Sequence, residues 1–172
     1  MKRGLFLIAA MCAVSLMATD IDVQKQKAAA AELKKTMMSE LKAKLNESPA
    51  AAVEFCSKNA IDITNSVAKK HNLNIKRVSK KNRNPINSAD ENDKKALAQF
   101  AENMARSGKP GEYVVVNGKY YEPLVTNEMC VVCHGKDANM ASETAQKIKQ
   151  LYPNDRAVGY GVGELRGAIS VW

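Results

Sequence analysis

Late in the chain, Cys130-Val131-Val132-Cys133-His134 reads C-x-x-C-H. Two thiols three residues apart lie along one helical turn, and a histidine follows the second directly. This spacing attaches a c-type haem: Cys130 and Cys133 form thioethers with the two vinyl groups, and the His134 imidazole reaches the iron from one side. A group held covalently needs no deep pocket, so the rest of a small chain supplies the sixth ligand and the polarity around the iron. The bland alternatives are weaker. A thioredoxin-like pair needs a βαβ context that the pattern lacks. A zinc site would draw on Cys56, Cys130, Cys133 and His134, but Cys133 and His134 are adjacent and leave nothing between them to wrap an ion. A plain disulfide is the third alternative. The motif favours one covalent haem c.

In bacteria, haem attachment to this motif takes place outside the cytoplasm, and the N-terminus reads as an export signal. Lys2 and Arg3 form a charged start, Leu5 to Met17 an apolar run too short to span a bilayer comfortably, and Ala18 a cleavage residue. Residues 1–18 are therefore expected to be a signal peptide and 19–172 a single domain, periplasmic and without stable membrane insertion after cleavage. Cys12 leaves with the signal. Cys56, Cys130 and Cys133 remain, two for the haem and one to explain.

The mature length, about 154 residues (172 less 18), suits one hydrophobic core. Without Lys2 and Arg3, 24 basic residues face 18 acidic ones, a net charge near +6 (26 less 2, against 18). Such a surface attracts an acidic redox partner or an anionic membrane, although a lysine-rich exported protein carries the same charge without any partner. No nucleic-acid motif accompanies it, and a nucleic-acid partner is not expected.

Leu33, Met37, Leu41 and Leu45 recur every four residues and predict a first helix from about Val23 to Leu45. Its stripe serves either its own core or a coiled-coil homodimer. Ser48 as N-cap and Pro49 at the first helical position open a second helix that runs to about His71. Val53, Cys56, Ala60, Ile63 and Val67 share one face of it, so Cys56 points inward. It is either a buried small hydrophobe or a thiolate ligand opposite His134. The methionines Met37, Met38, Met104, Met129 and Met140 compete for the sixth position, and the residues alone leave the choice open. His71 is the second histidine, at the polar end of this helix.

Ile75 to Ser79 is expected to be a short strand, followed by a turn at Asn84-Pro85. Arg77 and Arg83, in the basic stretch around that turn, are candidates to contact the haem propionates, because a guanidinium fork matches a carboxylate. Ser88 and Glu91 read as the capping box of a third helix, with Leu97, Phe100, Ala101 and Met104 buried and Gly108 as its stop. Asn117-Gly118 then joins two β-rich runs as a hairpin, with Pro123 marking an edge or an end. A helix from about Ala141 to Leu151 and a last strand from Leu165 to Val171 complete the chain. Helices first and antiparallel strands later make an α+β fold, unlike the all-helical fold of an ordinary small cytochrome c.

Taken together, the motifs resemble a known family: the c-haem, PAS-like sensor domains found free-standing and at the sensory end of bacterial histidine kinases. The resemblance is carried by Cys56 with Asn59-Ala60, by Arg77-x-Ser79-x-x-x-Arg83-Asn84-Pro85-x-Asn87 and by Cys130-x-x-Cys133-His134-Gly135. It continues through Tyr152-Pro153-x-Asp155-x-Ala157-x-Gly159-Tyr160 into Gly163-Glu164-Leu165-Arg166-Gly167. It implies a PAS-like antiparallel sheet flanked by N-terminal helices, and a haem iron ligated by His134 on the proximal side and Cys56 on the distal side. It also implies a redox or small-ligand sensor. With no kinase or cyclase following Trp172 in this sequence, such a sensor is expected to act through a separate periplasmic redox or signalling protein. A simple periplasmic electron-transfer cytochrome is the alternative. An enzyme is not expected, because no distal histidine other than His71 is evident.

Overall fold

The computed structural model describes the backbone of residues 6–172 and the side chains from residue 22 onward, Asp137 excepted. The expected signal peptide, residues 1–18, has its charged start and its side chains outside the described residues. Among the described residues, no helix is long and apolar enough to cross a membrane.

Two helices, α1 (Phe6–Glu47) and α2 (Pro49–His71), form an antiparallel hairpin joined at Ser48. The joint follows from residue chemistry: Ser48 Oγ accepts the Ala51 N–H at 3.0 Å, and Pro49 needs no amide partner in the first turn. At its far end α2 stops at Asn72, which takes the left-handed conformation (φ 50°). The chain then makes β1 (Ile75–Val78), α3 (Glu91–Ser107), β2 (Val114–Val116), β3 (Lys119–Val125), α4 (Glu128–His134), α5 (Ser142–Leu151) and β4 (Leu165–Val171). The four strands form one antiparallel sheet in the order β1-β4-β3-β2. The fold is therefore mixed α+β, as the order of periodicities predicts.

The period-two alternation of the strands decides what each sheet face buries. Ile75, Tyr120, Ile169 and Val171 pack against Ala29, Ala30, Leu33 and Met37 of α1 and Ala60 and Val67 of α2. Their neighbours Val78, Val116, Tyr121 and Ala168 pack against Ala96, Leu97 and Phe100 of α3. The molecule has three layers: helix pair, sheet, single helix. The apolar stripe of α1 is thus used within the chain, and its last two members, Leu41 and Leu45, are only half-buried because they border a cavity.

The hairpin forms as expected, with Asn117 at φ 50° and Gly118 at φ 75°, the pair of positive values a two-residue turn of matching twist requires. Pro123 sits inside β3, a central strand, yet opposite it β2 has already ended, so no ladder bond is lost. Two expectations for α3 are corrected. The capping box is Asp90 with Asp93: Asp90 Oδ1 accepts the Asp93 N–H at 2.8 Å and Asp93 Oδ2 accepts the Asp90 N–H at 2.9 Å. Ser88 cannot serve, because its backbone bridges to Ser79 beside the sheet and its carbonyl takes Lys76 Nζ. The buried stripe accordingly lies one turn earlier, at Asp93, Ala96, Leu97 and Phe100, and Ala101 is exposed.

Asp93 does more than cap. Its buried carboxylate also accepts the Tyr121 hydroxyl at 3.0 Å, tying α3 to β3. Replacing it loses the cap and strands a buried phenol, so Asp93→Ala is expected to lower stability by about 2 kcal/mol. Tyr121→Phe should cost less in that background than in the wild type, which a double-mutant cycle by denaturant titration measures. A Cβ on Gly167 would overlap the Val78 carbonyl where β4 passes β1. Gly167→Ala is therefore expected to cost about 1–3 kcal/mol, because backbone rather than a flexible side chain must yield. Thermal unfolding reads this directly.

Candidate functional site

Seven residues of α4 carry the C-x-x-C-H motif. A helix this short does not hold itself together, and each end is fixed by a specific contact. Asn127 caps the start, its Oδ1 accepting the Cys130 N–H at 3.1 Å. At the other end the Gly135 N–H closes on the Val131 carbonyl at 2.8 Å, and a Cβ on Gly135 would overlap that same oxygen, so the residue after the histidine must be glycine. Cys130 and Cys133, three apart, therefore share a face. Cys133 Sγ comes within 4.0 Å of the Pro49 carbonyl, which places this face beside the start of α2.

The segment from Tyr152 to Tyr160 grips α4 from the side. Gly159 donates to the Gly135 carbonyl at 2.8 Å and Tyr160 to the His134 carbonyl at 2.9 Å. The His134 ring is held by the same segment, with Nδ1 2.7 Å from the Ala157 carbonyl. A carbonyl only accepts, so Nδ1 carries the proton and Nε2 is left with its lone pair free. Burial pushes the His134 pKa well below its ordinary value, and the nearby Arg83 and Arg166 push the same way, so the ring is neutral. A neutral imidazole with a fixed tautomer and an open Nε2 is the form that ligates a metal.

Arg83 stitches this arrangement from below. Its Nε and one Nη donate to Asp155 Oδ2 at 3.2 and 3.0 Å, and that Nη also meets the Cys133 carbonyl at 2.6 Å and the Ala157 carbonyl at 3.5 Å. Both partners of the ion pair are buried, at 10% and 8% exposure. Asp155 Oδ1 in turn accepts the Ala157 N–H at 2.8 Å.

A cavity of about 820 Å³ opens between this assembly, the helix pair and the sheet, within the range of small-molecule and cofactor sites. All six residues singled out from the sequence line it: Cys56, Arg77, Arg83, Cys130, Cys133 and His134. One side is apolar, with Leu33, Met37 and Leu41 of α1 and Val53 of α2. The other is polar and cationic, drawn from β1 and the loop after it: Arg77, Ser79, Asn82, Arg83, Asn84 and Asn87. Arg166 joins them from β4, donating to Ser79 Oγ at 2.7 Å and to the Lys81 carbonyl at 3.0 Å.

The thiols are desolvated here. Burial raises the Cys56 pKa, against the pull of Arg77 and Arg83, and pushes Cys133 up to about 11. Arg77 stands apart from the other two arginines. Burial lowers its pKa, opposed by the Cys56 thiol and the Tyr152 phenol, and among the described residues no carboxylate pairs with it. An unpaired cation at the edge of a cavity is a place for an anionic group of a ligand.

The rival ligands separate by position. Met37, Met38 and Met129 also line the cavity. Met104 lies on α3, across the sheet, and Met140 packs beside Val53, Ile148 and Tyr152. His71 is elsewhere, its Nε2 2.8 Å from Glu32 of α1. Cys56, Cys130 and Cys133 are free thiols. Among the described residues no three His, Cys, Asp or Glu side chains close up into a metal-holding group, so the zinc alternative finds no ligand cluster. The residues present do fit a covalently held haem: two thiols on one face, a tautomer-fixed imidazole beside them, apolar walls, and Arg77 awaiting an anion.

Sequence reasoning assigned no chemistry to Asp155, Ala157, Tyr152 or Arg166. The signal for the first three was the Tyr-Pro-x-Asp-x-Ala stretch itself, whose carboxylate reveals its role only when it is seen to be buried against Arg83, and that for Arg166 was the Gly-Glu-Leu-Arg-Gly stretch.

No curated protein matches the chain. Among solved structures, the crystal structure of the cyanobacterial heme protein Tll0287 superposes with a TM-score of 0.57 at 23% identity, covering 82% of this chain and 93% of that one, and the two share a fold. The model of the Tll0287-like family matches residues 13–172, and the chain belongs to that family.

Proposed function

We propose that this chain is an exported, monohaem c-type protein of the periplasm that senses redox state or a small ligand, with His134 and Cys56 as the axial pair. The observation that carries the reading is the convergence of Cys130, Cys133, His134 and Cys56 on one cavity that also holds an unpaired Arg77. The family and the shared fold support it, since the structural relative is a heme protein.

Each residue then has a task. Cys130 and Cys133 hold the haem by thioethers. His134 ligates through Nε2, the nitrogen left free by the bond to Ala157. Cys56 offers its sulfur from α2, seven residues beyond Pro49, about 10 Å along the helix. Arg77 receives a propionate. When bound, the haem supplies a one-electron couple and an axial position open to exchange. A thiolate at that position donates electron density and favours the oxidised state, so the reduction potential is expected to be low. α2 packs on α1 and on α5, so a change in what Cys56 holds displaces an element with contacts on both sides. A separate partner protein reads that displacement. The reading is non-catalytic: the second histidine, His71, is occupied by Glu32 outside the cavity.

The test is an absorption spectrum of the full chain exported together with haem-attachment machinery, oxidised and reduced, for wild type and Cys56→Ala. The expected result is covalent haem in both, with thiolate-type low-spin features in the oxidised wild type that the substitution removes. A reduced spectrum in which the thiolate features are lost supports a sensor, and one in which they persist points to an electron carrier. Identical oxidised spectra would turn attention to Met37, Met38 or Met129, and a wild type without haem would overturn the proposal.

A further inference from the structure

Resting on the haem reading above, we infer that the buried Arg83–Asp155 pair is a positioning device for the proximal ligand, and that Asp155 sets how strongly His134 donates to the iron. Neither side chain was expected to do this, and Arg83 is thereby given a role other than a propionate contact.

The pair is costly to bury. Two charges at 10% and 8% exposure are desolvated, and a buried ion pair is seldom more stabilising than well-packed apolar groups of the same size. Its presence therefore calls for a reason beyond stability, and its partners supply one. Arg83 donates to the carbonyl of Cys133, the residue just before the ligand, at 2.6 Å. Asp155 accepts the N–H of Ala157 at 2.8 Å, while the carbonyl of the same Ala157 accepts His134 Nδ1 at 2.7 Å. The loop is closed: Arg83, Asp155, Ala157, His134, Cys133 and back to Arg83. Every link is shorter than 3.3 Å except the direct contact of Arg83 with the Ala157 carbonyl at 3.5 Å. Ala157 is itself fully buried, so no water replaces the carbonyl if it moves.

The chemistry follows from what a hydrogen bond at Nδ1 does. An acceptor on that side makes the imidazole a stronger donor at Nε2 and fixes its plane, and removing such partners typically costs about 10–100-fold in metal affinity or activity. Asp155 never touches the iron and acts through the Ala157 peptide. If the peptide is released, the ring loses its acceptor, donates less, and favours the reduced state relatively more. The sign is a rise in reduction potential.

The experiment uses the full haem-loaded chain and compares wild type with Asp155→Asn, Asp155→Glu, Arg83→Lys and Asp93→Ala. The expected result for Asp155→Asn is retained covalent haem with a redox equilibrium shifted about tenfold towards the reduced form, which is about +59 mV for a one-electron couple. Its low-spin bands should broaden as the ring plane loosens. Arg83→Lys should move the potential in the same direction, Asp155→Glu should recover part of the shift, and Asp93→Ala should lower stability without moving the potential. Should Asp155→Asn fail to fold, the potential of Arg83→Lys decides. An unchanged potential in the variants, or an equal shift in Asp93→Ala, reduces the pair to a structural contact and overturns the inference. A wild type without haem overturns it too, but does so in the wild type alone, so failure of the haem reading is distinguished from failure of the positioning role.

Discussion

α4 has seven residues and cannot hold a helical conformation unaided, because nucleation costs more than so few hydrogen bonds return. The site depends on how this turn is held. Three contacts from the Tyr152–Tyr160 segment do so: two backbone bonds at Gly135 and His134, and the ring bond from His134 to Ala157. That segment is irregular and would drift if its own position were unspecified. Asp155 and Arg83 specify it from inside, and the Arg156 amide adds a bond to the Asn82 carbonyl. Two stretches about 70 residues apart in sequence, the loop after β1 and the loop before β4, thus become one support. The pairing of β1 with β4 brings them together.

Charge in the cavity has a similar logic. Three arginines crowd one side, which repulsion alone would forbid. Arg83 is neutralised by Asp155, and Arg166 spreads its charge over Ser79 Oγ, the Lys81 carbonyl and the Tyr160 ring, 5.3 Å from its guanidinium carbon. Arg77 alone is left without such relief. It lies in the same cross-strand row as Ile169 and Glu122, facing the helix pair, and Glu122 is taken by Lys34 at 2.9 Å. The cavity therefore has one cationic position in deficit, and it sits near the Cys56 thiol that opposes the fall in its pKa.

What could be read from the chain divides along physical lines. Features set by local chemistry were legible: Ser48-Pro49 opens a helix, Asn117-Gly118 makes a tight turn, and thiols at i and i+3 share a face, whatever the rest of the chain does. Features set by tertiary competition were not. Ser88-x-x-Glu91 is as good a capping box on paper as Asp90-x-x-Asp93, and only the engagement of the Ser88 backbone by Ser79 and Lys76 decides between them. Ala101 has helical spacing for burial, but the stripe that meets the sheet begins with Asp93, a carboxylate that periodicity counts as polar. Asp155 was hidden for the same reason. A buried carboxylate looks like a surface one until its partner is known.

The same division explains why the motif fixes the mutual placement of Cys130, Cys133 and His134 but leaves that of Cys56 open. Cys130, Cys133 and His134 are fixed relative to one another by a single turn of helix. Cys56 is placed relative to them by the packing of α2, which rests on α1 along one side and meets Ile148 and Tyr152 through Val53 on another. Its distance from the imidazole is therefore a property of the helix pair, and a slight rotation of α2 on its neighbours moves Cys56 relative to His134. On the proposed reading this asymmetry is functional. The proximal ligand is locked by a closed ring of hydrogen bonds, whereas the distal ligand rides on a helix whose packing at Val53 and Ala60 is apolar, non-directional and tolerant of small shifts, its polar ties to Glu32 lying at the far end, at Lys70 and His71. A site built this way yields on the Cys56 side first.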